Sequence, residues 1–246
     1  MVKCLEGFMQ AIKMNKLKFI INEIKKGRTL FILFSILTYP LSKTKLKEWR
    51  LKTKDLILVR NLTKQIKKNY GLKFLNTYSK FYCEELREIY EYKIYHFFKI
   101  KKGDVVYDVG AGGGTYSLLS AKNGAECLAF ELREDAFKIM NENIKLNNFQ
   151  NKIKTYLGKI DDKIALDFYF NKTKKAPTLI KIDIEGDELK ALKGSIKILK
   201  KYHPRIIFET HSKELERACL DFLSKFGYAV KNKIRMNDCI NLFFLK

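Results

Sequence analysis

From residue 101 onward, short apolar, β-branched runs alternate with helix-length amphipathic segments. The runs at 104–110 (DVVYDVG), 125–131 (AECLAFE), 152–158 (KIKTYLG), 177–185 (PTLIKIDIE) and 204–211 (PRIIFETH) read as strands, with LDFYF at 166–170 as an extra one. Segments 115–124, 133–148, 186–202 and 213–227 carry apolar residues at helical spacing. Strands alternating with helices predict a mostly parallel sheet covered on both faces. The closing runs 228–233 and 239–246 have no helix between them, so they are expected to form a hairpin around 235–238. The expected fold is therefore α/β, a mostly parallel seven-stranded sheet with helices on both faces and an antiparallel C-terminal strand.

Residues 1–100 have a different texture and read as a mainly helical region. Apolar and basic residues mix at helical spacing over 3–26, Gly27 interrupts, and Pro40 ends the next run. That run, TLFILFSILTYPL at 29–41, is too short as a helix to cross the ~30 Å hydrocarbon core. It reads as a core or inter-domain helix, or as an anchor lying on a membrane surface between basic flanks. EWRLKTKDLIL at 48–58 reads as a strand, with Asp55 as N-cap of a helix to about Lys68. An aromatic stripe over 84–98 has helical spacing and suits a core. The predicted organisation is an N-terminal extension, 1–100, and a ligand-binding domain, 101–246.

Charge sharpens this division. The net charge is +22, and residues 1–100 hold 22 Lys/Arg against 8 Asp/Glu, compared with 27 against 19 in the remainder. A basic surface attracts phosphates, anionic lipid head groups or acidic glycans. Without a dense basic run, a solvated lysine-rich surface explains it better. The five cysteines, Cys4, Cys83, Cys127, Cys219 and Cys239, are odd in number and lack C-x-x-C spacing, which argues against a zinc ribbon or disulfide scaffold. Isolated thiols fit a reducing cytoplasm, with peripheral membrane contact through residues 1–60 as an addition.

The candidate chemistry starts at VVYDVGAGGGTY, 105–116, where an apolar strand holds Asp108 and then turns through Gly110, Ala111, Gly112, Gly113 and Gly114. Glycine there permits positive φ and lets a ligand approach the backbone. The next helix begins near Thr115, and its free N–H groups face the same space. Glu131 ends the following strand, where a carboxylate can accept hydrogen bonds from both ribose hydroxyls. A dinucleotide site wants Gly or Ala in the last slot of G-x-G-x-x-G, which Thr115 occupies. Asp108 would repel a pyrophosphate; it suits an ammonium group or orders the loop. S-adenosylmethionine, with a sulfonium, an α-amino group, a ribose and no phosphate, fits better than a dinucleotide, though the loop alone leaves both open.

Four segments carry a resemblance to a known family: GDVVYDVGAGGGTYSLLSA, FELREDAFKIMNENIKLNN, LIKIDIEGDELKALKGS and PRIIFETH, in this order. Together they resemble the FkbM-type methyltransferases, class I S-adenosylmethionine-dependent enzymes with a Rossmann-like fold. The likeness covers about 103–246, and KIDIEGDELKALKG is its most specific piece. It implies S-adenosyl-L-methionine as cofactor, with Gly110, Gly112 and Gly114 on its loop and Glu131 on its ribose. Leu157, Gly158 and Lys159 fall where adenine is contacted. Gly112 stands where the family often has Asn, and Leu132 where Pro often follows the acid, which leaves the loop shape open.

Methyl transfer needs aligned partners, exclusion of water and, for a hydroxyl acceptor, removal of a proton. Asp183 and Glu185, two apart, are expected on one side of the fourth strand, and Asp183 is costly to bury without a role. The fifth strand ends in Glu209 and His211, the latter a base near neutral pH or a satisfied strand-end histidine. Asp183, Glu185, Glu209 and His211 are the catalytic candidates. Together they are also a candidate divalent-ion site, although no metal is required. Asp187 and Glu188 read as caps of the next helix. The expected reaction is O-methylation of a sugar, glycolipid or other small hydroxylated metabolite. The alternatives are a nucleic-acid methyltransferase, disfavoured because DIEG replaces an Asn/Asp-Pro-Pro-Tyr-like motif, or a silent binding module.

Overall fold

The computed structural model describes residues 29–37, 47–77, 80–92, 100–235 and 241–245 of the chain. Two compact units emerge, one of Met1–Gly71 with Asn76–Tyr90, the other of Leu72–Leu75 with Glu91–Lys246.

The first unit holds helices α1 (Thr29–Leu37), α2 (Lys47–Tyr70) and α3 (Lys80–Arg87), and α3 runs on into a π-helical turn at Glu88–Tyr92. The strand expected at 48–58 is instead part of α2, and Asp55 lies inside that helix rather than at its N-cap. Leu58, Leu62 and Ile66, four apart, are all buried with Val59. This helical period outweighs the β-branched look of the local sequence. The helix stops where expected, with Gly71 at φ 67° returning its N–H to the Lys67 carbonyl. On α1, Leu30 and Leu33 are exposed, and no described helix is long and apolar enough to cross a membrane. The helix expected over 3–26, the aromatic residues 93–98 and residues 236–238 of the expected turn lie outside the described residues.

The second unit is a sheet with helices. Its strands are β1 (Val105–Val109), β2 (Glu126–Glu131), β3 (Ile153–Leu157), β4 (Leu179–Ile182), β5 (Arg205–Thr210), β6 (Val230–Arg235) and β7 (Asn241–Leu245), in spatial order β3-β2-β1-β4-β5-β7-β6. Between them lie α4 (Thr115–Lys122), α5 (Glu134–Leu146), α6 (Leu166–Thr173), α7 (Glu188–Lys193), α8 (Ile196–Tyr202) and α9 (Lys213–Ser224). The parallel-paired core has five strands, not seven. The hairpin β6–β7 extends it, with β7 antiparallel to β5. Strand order reverses between β1 and β4, so the space beyond their carboxyl ends is the topological switch point.

Two elements differ from the sequence pattern. The run 166–170 is helical: Leu166 is buried, and Tyr169 and Phe170 pack on the core at helical spacing. Asp167 on that helix accepts the Lys197 and Ile198 amides at 2.9 and 3.0 Å and so starts α8. The single helix expected over 186–202 is two, α7 and α8. At the break, a Cβ on Gly194 would sit 2.5 Å from the Asp161 carbonyl oxygen.

The amino ends of β1, β4 and β5 are tied by one acid. Asp104 accepts the Lys101 amide at 2.6 Å, the Thr178 hydroxyl at 2.7 Å and the Arg205 guanidinium at 2.5 Å. Burial opposes its ionisation, but these donors outweigh that and hold the carboxyl below the ordinary carboxylate value.

Candidate functional site

At the carboxyl end of β1 the chain enters a left-handed turn, with φ of 77°, 54° and 81° at Gly110, Gly112 and Gly114. Gly110 is required by packing: a Cβ there would lie 1.8 Å from the Asp183 carbonyl oxygen, at the end of neighbouring β4. Gly114 is the N-cap of α4, and its Cβ would meet Met140 Cγ at 2.8 Å. The turn's amides are largely engaged within the chain. Gly110 and Ala111 donate to the Phe130 carbonyl, and Gly114 donates to Ala111. Gly112 donates to Glu131 Oε2 at 2.7 Å. The glycines therefore serve backbone shape and close packing more than they offer free amides. Thr115 opens α4 beside them.

Glu131 is buried, and its other oxygen accepts the Arg133 amide at 2.8 Å. Each carboxylate oxygen has two lone pairs, so it still has capacity for two hydroxyls. Leu132 and Leu157 are exposed at the ends of β2 and β3, where Glu131 pairs in register with Leu157. Gly158 has open space at its missing Cβ, and its N–H returns to the Glu131 carbonyl. Lys159 reaches Asp187 at 2.7 Å. Lys159 first, then Lys190, holds the Asp187 carboxyl below its ordinary value.

Asp108 does not face the space beyond the strands. It has no exposure, accepts the Ser117 hydroxyl at 2.6 Å, and lies 3.6 Å from the Lys181 ammonium. Burial pushes its carboxyl up, while Lys181 and Ser117 pull it back. The ammonium it meets is thus the chain's own. Lys181 also donates to the Gly110 carbonyl at 2.9 Å and lies 3.3 Å from Asp183. Sequence reasoning gave Lys181 no role. Its signal was there, a lysine inside the apolar run LIKI, whose burial requires anionic or carbonyl partners.

Asp183 and Glu185 do not share a strand face, because β4 ends at Ile182. Glu185 is exposed and left-handed at φ 53°. Glu188 holds this turn by accepting the Ile184 and Gly186 amides at 3.2 and 3.0 Å. The acid expected to cap α7 thus closes the loop before it.

Asp183, Glu209 and His211 do come together. Each offers one ligand atom within 4.8 Å of the others, and Glu185 is not among them. Register explains it, since Ile182 pairs with Phe208 and the next residues are Asp183 and Glu209. His211 Nε2 lies 3.4 Å from Glu209 Oε1, and buried Nδ1 has no hydrogen-bond partner among the described residues. The group can hold a proton or a cation, and Lys181 already brings one positive charge to Asp183.

Residues 109–230 match the family model described as Methyltransferase FkbM domain. A ribosomal protein L11 methyltransferase from Desulforamulus reducens is 39% identical over 66 residues, 26% of this chain and 21% of that protein. A tRNA (guanine(37)-N(1))-methyltransferase from Pediculus humanus subsp. corporis is 35% identical over 106 residues, 43% of this chain and 22% of that protein. The chain thus spans about a fifth of the length of each. Among solved structures, the METTL16 MTase domain superposes with TM-score 0.55 and 17% identity, covering 78% of this chain and 80% of that one. Precorrin-6y C5,15-methyltransferase from Geobacter metallireducens gives TM-score 0.52 and 16% identity, covering 66% and 87%. These superpositions show a shared fold.

Proposed function

We propose that this chain, which carries a methyltransferase FkbM domain over residues 109–230, transfers a methyl group from S-adenosylmethionine to a hydroxyl of a sugar, glycolipid or other small metabolite. The observation that carries the reading is the glycine turn with Glu131 at the switch point, set beside the Asp183–Glu209–His211 group. When bound, S-adenosylmethionine supplies a methyl on a positive sulfur that leaves as a neutral thioether. Glu131 accepts the ribose hydroxyls, and Leu132 and Leu157 give an apolar seat for the adenine. His211 takes the acceptor proton as the oxygen–methyl bond forms, and Glu209 stabilises the resulting imidazolium. Asp183, paired with Lys181, orients the acceptor.

A second reading follows from partial likeness to a tRNA and a ribosomal-protein methyltransferase, together with the +22 charge. Under it the acceptor is RNA or protein. Labelled methyl transfer to hydroxylated sugars and small metabolites, to bulk RNA and to ribosomal protein separates these. Label in RNA or protein alone overturns the hydroxyl-metabolite reading. Full activity in excess EDTA supports proton removal by His211, and loss restored by Mg2+ supports a cation on the same three residues.

A further inference from the structure

Asn143, in the last turn of α5, has no exposure. A buried amide is costly unless both ends are bonded. Its Nδ2 donates to the Gly113 carbonyl at 2.8 Å, and its Oδ1 accepts the Leu75 amide at 2.8 Å. One turn earlier, Met140 fills the space at Gly114. One turn later, Asn147 brackets Lys73, accepting its N–H at 2.8 Å and donating to its carbonyl at 2.6 Å. One face of α5 thus grips both the glycine turn and a distant strap, Leu72–Leu75. The strap belongs to the sheet unit, although the chain on either side of it belongs to the other unit. It lies non-helical with Leu72 and Phe74 buried, and Asn147 and Asn143 bond the backbone of Lys73 and Leu75.

The glycine turn needs such a lock. Gly112, Gly113 and Gly114 are consecutive, and glycine has the widest choice of φ and ψ. The peptide joining Gly113 to Gly114 is planar, so fixing both its ends fixes its direction. Ala111 holds its N–H at 2.8 Å and Asn143 holds its carbonyl.

We propose that Asn143 is a positioning residue for the cofactor, linking the Leu72–Leu75 strap to the glycine turn, so that strap contacts set affinity for S-adenosylmethionine. The inference rests on the methyl-donor reading above. The test is calorimetric titration of S-adenosylmethionine into the full chain, its Asn143→Asp and Asn143→Ala variants, and Asn147→Ala. Amide exchange at residues 112–116 is followed without cofactor. Asn143→Asp keeps the shape and the acceptor for Leu75 but removes the donor to Gly113. The expected result is a Kd weaker by about tenfold for the Asn143 variants and about threefold for Asn147→Ala, with kcat at saturating cofactor unchanged. Faster exchange at 112–116 should accompany both. Unchanged Kd and exchange, with only a lower melting temperature, overturns the proposal. If the Asn143 variants do not fold, Asn147→Ala decides by the same two readouts. A wild-type chain that binds no S-adenosylmethionine sinks the donor reading, while the exchange at 112–116 still decides the coupling.

Discussion

The two ends of strands β1, β4 and β5 carry polar clusters in opposite states. At the amino ends, Asp104 is closed: its oxygens accept from Lys101, Thr178 and Arg205. At the carboxyl ends, Asp183, Glu209 and His211 gather half-buried, and His211 Nδ1 has no partner among the described residues. A fully satisfied buried network specifies a fold, and a partly satisfied one stores capacity for a ligand. Under the proposed function, the strand ends separate stability from chemistry within one sheet.

The largest expected effect is at the open end. His211→Ala should lower the methyl-transfer rate by about 100- to 10,000-fold while moving unfolding free energy by under ~1 kcal/mol. A matched loss of stability would show that the histidine is structural. Next comes the closed end, where Asp104→Asn should cost about 2–3 kcal/mol in denaturant unfolding and leave kcat unchanged below the melting transition. A fall in kcat without loss of stability would erase the contrast between the two ends.

The pH dependence carries a definite sign. The Asp104 carboxyl is held below its ordinary value, so its stabilisation is present above about pH 4 and is lost as pH falls through the lowered value. The stability gap between wild type and Asp104→Asn should therefore be widest near neutrality and shrink in acid. A gap that widens in acid contradicts the assignment. The smallest effect is at Glu185, left-handed at φ 53°. Glu185→Gly should relieve that strain and raise stability by about 1 kcal/mol. If activity falls at the same time, the strain serves the acceptor end.

The sheet was legible because strands buried on both faces read as apolar runs, and the runs at β1 to β5 sit within a few residues of their predicted places. Elements were misread where a local β-branched look met a longer period. Leu58, Leu62 and Ile66 form a helical face, as do Leu166, Tyr169 and Phe170. The glycine turn is readable because its residues are adjacent in sequence, and the fold brings Glu131, 19 residues on, to Gly112. The pairing of Asp183 with Glu185 failed because alternation holds only while the strand lasts, and β4 stops at Ile182. The contacts of Lys181 with Gly110 and of Asn143 with Leu75 are illegible in sequence because they span 71 and 68 residues of chain. Polar groups inside apolar faces were the available signal for both.

The most direct test of the central reading is calorimetric titration of S-adenosylmethionine into the intact chain and into Glu131→Ala. Glu131 braces Gly112 and, in the proposed function, accepts the ribose hydroxyls. The expected result is saturable binding by wild type and at least about tenfold weaker binding by the variant. No heat of binding to the intact chain, or equal affinity in both proteins, would contradict it.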